Sequence, residues 1–119
     1  MKSLISFTVI ALILLSSCGS NNTNTPVKTQ SNIEKWYEGG TLHKAKISDW
    51  KAATEKNKLA TSADFMAKVD NSVSMDVLKQ RATSLMNCID ESTRGLDSTN
   101  NESVSSVAVK CILLLGYKL

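Results

Sequence analysis

The chain has 119 residues, 42% apolar and 21% charged, which suits one small globular domain and excludes two. Lys and Arg number 14 against 11 Asp and Glu, and the formal net charge of +3 is too weak a bias to argue for nucleic acid as a partner. Three cysteines leave an odd one to account for.

Residues 1–18 read MKSLISFTVIALILLSSC, in which Lys2 supplies a short positive region and Leu4 to Leu15 form an apolar run broken only by Ser6 and Thr8. This is the form of an export signal. The run has roughly a dozen residues, whereas about 20 are needed to cross the hydrocarbon core as a helix, so a permanent transmembrane anchor is the weaker reading. At its end, Leu15-Ser16-Ser17-Cys18 places an aliphatic residue, two small residues and a cysteine in sequence. This quartet resembles the lipobox of bacterial lipoproteins. The resemblance implies that residues 1–17 are a signal peptide removed by the lipoprotein signal peptidase. It also implies that the Cys18 thiol carries diacylglycerol and that the new amino group is acylated, typically with palmitate. A thiol suits this chemistry because its thiolate is the strongest nucleophile among ordinary side chains. Gly19 stands where an aspartate would favour inner-membrane retention, so the resemblance points to the outer membrane, on its periplasmic or surface face. The alternative is a plain secretory signal cut near Ser17 or Gly19, with Cys18 left as an ordinary thiol.

Setting Cys18 apart leaves Cys88 and Cys111 as an even pair in an oxidising compartment, where a disulfide is expected. A metal or redox role lacks a ligand set, since His43 is the only histidine and no CxxC or HxxxH spacing occurs. Neither a metal nor another cofactor is expected. Residues 18–32 hold the anchor cysteine and the polar stretch GSNNTNTPVKTQSN, which is too lean in apolar residues to offset its ordering entropy and is expected to act as a flexible tether.

From residue 33 to 119 apolar residues recur at three and four, and the expectation is an all-α bundle of three to four helices. Ser48 is expected to cap a helix running through Trp50, Ala53 and Asn57. Thr61 and Asp64 form a capping-box-like pair and suggest a fresh start for Phe65, Met66 and Val69. After Ser74, the residues Met75, Leu78, Ala82, Leu85, Met86 and Ile89 trace one helix face, with Gly95 as a stop. Asn100 or Asn101 is expected to cap the last helix, with Val104, Val107, Ala108, Cys111, Ile112 and Leu115 facing inward and Gly116 ending it. The polar link Leu96 to Asn100 is short, so these two helices are expected to lie antiparallel. Val109 and the run Cys111 to Leu115 make the last helix apolar nearly all round. It is expected to be central in the bundle, or else to expose a patch for a partner chain, a second copy or a membrane surface.

Trp36-Tyr37-Glu38-Gly39-Gly40-Thr41-Leu42-His43 gathers aromatics, the single histidine and a diglycine. It is either a recognition loop or a lid in which Trp36 and Leu42 close one end of the core while the glycines turn the chain. Continued through Lys44, Ala45 and Trp50 to Thr61, it resembles stretches of small exported bacterial proteins of unknown role, which implies no activity. Lys44, Lys46, Lys51, Lys56 and Lys58 form either a surface for anionic envelope material or an ordinary solvated face, on which Lys51 and Glu55 pair four apart. The candidate binding surface is therefore Trp36, Tyr37, His43, Lys44, Lys46 and Lys51.

No catalytic residue is expected. Any triad would have to use His43, and no motif places a serine or carboxylate beside it. Asp90 and Glu91 are adjacent, so on a helix they diverge by about 100° and read as a surface acidic pair. The expected function is a non-enzymatic envelope lipoprotein, held to the membrane by its lipid and binding an envelope protein or anionic polymer. The alternative is an inhibitor or immunity factor against a toxin, phage or cell-wall enzyme.

Overall fold

In a computed structural model of the protein, the described residues are 35–119. The expected signal, the expected lipidation at Cys18 and the expected tether lie outside them. The described residues form four α-helices, α1 (Ile47–Ala52), α2 (Glu55–Val69), α3 (Met75–Thr93) and α4 (Val104–Leu114), with a 3₁₀ turn at Asp97–Thr99. No strand occurs among the described residues; the single β-bridge joins Lys46 to Ser103. The all-α fold class is as expected.

Two pairs of contacts fix the directions of the helices. Lys58 pairs with Asp90 and Asp70 with Arg81, so moving up α2 means moving down α3. Likewise Cys88 is bonded to Cys111, while Arg81 lies 5.1 Å from the Tyr117 ring, so α3 and α4 are antiparallel. Helix α3 therefore packs against α2 and α4 and is the central helix. The expectation that α4 is central is corrected. Helix α4 buries one face only, formed by Val104, Val107, Ala108, Cys111 and Ile112, while Leu115 at its C-cap is exposed.

Three local expectations also change. The helix expected from Ser48 through Asn57 breaks at Ala53 and Thr54, whose extended backbone ends α1 and starts α2. Thr54 supplies the cap by accepting the Asn57 amide at 3.3 Å. Thr61 is no helix start; it lies buried inside α2, where its hydroxyl accepts the Leu42 amide at 3.3 Å. Ser103 rather than Asn100 or Asn101 caps α4, accepting the Ser106 amide at 3.2 Å. The backbone just before it is otherwise engaged. The carbonyls of Asn100 and Glu102 accept the Ser48 and Ile47 amides at 3.1 and 2.9 Å. They thereby satisfy first-turn donors of α1 that have no partner within that helix.

The expected cap at Ser74 holds, as do the glycine stops: Gly95 (φ 66°) follows α3 and Gly116 (φ 85°) follows α4 in the left-handed region. Gly116 completes a Schellman motif, since its amide bonds the Leu113 carbonyl at 3.0 Å and the Tyr117 amide bonds Ile112 at 3.1 Å.

The α2–α3 turn is tied by Asp70, which accepts the Ser72 hydroxyl at 2.6 Å and Arg81 at 3.1 Å. The Ser72 hydroxyl, then its amide, then Arg81 hold the Asp70 carboxyl below the usual carboxylate range. A depressed folded-state value contributes stability above the unfolded-state pKa and loses it as pH falls through the folded one. Asp70→Asn is therefore expected to be less stable than the parent at neutral pH, with the gap closing on acidification. Urea melts at both ends of that range check it, and a gap independent of pH counts against this role.

Candidate functional site

The largest buried side chain, Trp50, organises one end of the domain. Its indole Nε1 donates to Asp90 Oδ1 at 2.8 Å, and Lys58 Nζ donates to the same oxygen at 3.0 Å. The Lys58 ammonium also lies 5.7 Å from the Trp50 ring centre, within cation–π range. One carboxylate thus joins α1, α2 and α3. The reading of Asp90 and Glu91 as a surface acidic pair is corrected for Asp90, whose partners come from 40 and 32 residues away. Glu91 pairs locally with Arg94.

Beside this node lies an open cleft of about 470 Å³ lined by Lys51, Lys58, Asp90, Thr93, Arg94, Gly95 and Asp97. Its cations are already engaged. Lys51 donates to the Leu96 carbonyl at 3.1 Å and to Asn100 Oδ1 at 2.7 Å, which replaces the expected pairing with Glu55. Lys58 is held by Asp90, and Arg94 by Glu91. The cleft is built to hold the helices and the α3–α4 link together.

The Trp36–His43 segment lies along α2. Asn57 exchanges two hydrogen bonds with Thr41, both 2.9 Å, and Thr61 receives Leu42, which joins the core. Gly40 permits this close approach: a Cβ there would lie 2.6 Å from the Thr61 backbone nitrogen. Gly39 takes φ 88°, so the diglycine does turn the chain. Trp36 and Tyr37 meet edge to face at 5.5 Å, with the Lys79 ammonium 5.7 Å from the Trp36 ring centre.

His43 Nε2 lies 2.8 Å from Asp64 Oδ2, and its ring meets the Phe65 ring at 5.4 Å. This pair orients an imidazole, but among the described residues no hydroxyl or thiol is bonded to it. Lys44 borders the same open depression, together with Lys68. The six candidate residues are distributed rather than gathered. Trp36 lines a depression with Leu59, His43 and Lys44 line a second with Asp64, and Lys51 lines the cleft beside Trp50. Lys46 sits at the N-cap of α1, bridged to Ser103.

The disulfide forms as expected. Cys88 and Cys111 join α3 to α4 with their Cα atoms 5.9 Å apart. Beyond it, Leu113 is 54% exposed, Leu114 80% and Leu119 71%, with Val109 and Leu115 also exposed. This apolar edge is the least satisfied feature of the described surface. No helix among the described residues is long and apolar enough to cross a membrane. No group of three or more His, Cys, Asp or Glu among them could hold a metal ion. Comparison with family models, characterised proteins and solved structures returns no match.

Proposed function

We propose that the chain is a bacterial envelope lipoprotein: a disulfide-stapled helical module, anchored through lipid on Cys18, that acts by binding rather than by catalysis. The observation that carries this reading is the order of features along the chain. A charged start, an apolar run and Leu15-Ser16-Ser17-Cys18 precede a polar spacer, and among the described residues the first helix begins at Ile47. Gly19 after the cysteine supports the outer membrane over the inner one. The unpartnered leucines of α4 support a binding role, because an exposed apolar edge costs solubility unless something covers it.

Cys18→Ser tests the anchor. The expected result is loss of membrane fractionation with an unchanged helical circular dichroism spectrum, because Cys18 lies outside the helical module. Retention of a processed Cys18→Ser chain in the membrane fraction would sink the anchoring claim.

A further inference from the structure

We propose that the exposed C-terminal edge of α4 is a lipid-docking surface, which lays the anchored module against an anionic bilayer with this edge toward the headgroups. This rests on the lipid-anchor reading above and adds the partner and the face. Three observations carry it. The first is the distribution of apolar residues on α4. Its outward face is polar near the start, at Ser105 and Ser106, and apolar only toward the end, at Val109, Leu113 and Leu114. The Schellman turn then folds Tyr117 back onto Arg81, which leaves Lys118 and Leu119 exposed beside the same end.

The second is charge. Residues 103–119 carry Lys110 and Lys118 and no Asp or Glu. The nearby carboxylates, Glu102 and Asp70, are paired with Lys110 and Arg81 respectively, so the charge this end offers to headgroups is that of Lys118. An apolar edge with a lysine and a tyrosine at its margin matches the boundary between acyl chains and anionic headgroups.

The third is the length of chain between the anchor and the helices. Residues 19–34 link Cys18 to the described residues, and 16 residues extend at most about 55 Å. The lipid therefore keeps the edge within reach of the bilayer at high effective concentration, where even a weak patch is occupied. The anchor provides retention, and the edge provides orientation.

Vesicle co-sedimentation of the processed chain carrying Cys18→Ser isolates the edge from the anchor. Binding is expected to vesicles of phosphatidylethanolamine with phosphatidylglycerol and to be weaker on phosphatidylcholine alone. Adding Leu113→Asp and Leu114→Asp is expected to reduce binding at least about tenfold, since burial of each leucine is worth about that factor or more. Both side chains are exposed, so the circular dichroism spectrum is expected not to change. Equal binding with and without the two aspartates overturns the proposal, as does an absence of binding to either vesicle. A concentration-dependent dimer in sedimentation equilibrium that the same pair abolishes would instead assign the edge to a second copy. None of these failures touches the anchor, which the fractionation of Cys18→Ser tests separately.

Discussion

Trp50→Ala is expected to lower the free energy of unfolding by about 3–5 kcal/mol, the cost of removing a large aromatic from a closed core. Trp50 is fully buried at the junction of α1 with α2 and α3, and its indole N–H is spent on Asp90. Small domains hold only about 5–15 kcal/mol in total, so this one change is expected to bring the module close to unfolding at growth temperature. Asp90→Ala is the companion measurement. It leaves a buried indole N–H without an acceptor and Lys58 without its carboxylate, at a cost of about 1–3 kcal/mol. Because both changes dismantle one node, the double variant is expected to lose less than the sum of the two. Chemical denaturation of the three variants decides this. Strict additivity, or a Trp50→Ala chain within about 0.5 kcal/mol of the parent, would refute the central role given to this node.

Loss of the disulfide is the second large effect. The Cys88–Cys111 bond closes a loop across 23 residues, worth about 3 kcal/mol in the chain-entropy account. For a domain of this size that is a fall in Tm of roughly 10–20 °C. The double variant Cys88→Ser with Cys111→Ser and the reduced parent should melt at nearly the same temperature, well below the oxidised parent. A parent whose melting does not respond to reductant would show that the bond contributes nothing to stability. The position of the bond explains its weight. Helix α4 buries a single face and α1 has only six residues, so the covalent link secures a helix that packing alone holds from one side.

Much of this architecture is legible from residue order. Helix α3 could be read from its cap at Ser74, its face from Ala82 to Ile89, and its glycine stop, because each of these signals acts within a few residues. The pairing of Cys88 with Cys111 follows from parity once Cys18 is set apart. Other signals misled where tertiary contacts competed with local ones. Thr61 has the form of a helix start, yet its hydroxyl is used by Leu42 from a segment 19 residues earlier. Asn100 has the form of a cap, yet its carbonyl serves Ser48 and its side chain serves Lys51. Asp90 gives no sign in the sequence of its role, because its partners Trp50 and Lys58 become neighbours only when three helices assemble. A buried tryptophan needing an acceptor was the one available clue, and it does not name the acceptor.

The spacing of apolar residues and the count of cysteines by themselves determined an all-α, disulfide-bonded domain, and the opening segment by itself prompted the proposal of export, since those signals depend on the residue order alone. Only the tertiary structure decided that α3 rather than α4 is central, that the six candidate binding residues fall in separate places, and that the last leucines face outward. For α4 the physical reason lies in its neighbours. A helix with apolar residues nearly all round specifies that it must be covered, and only the packing of its neighbours decides which side they leave open.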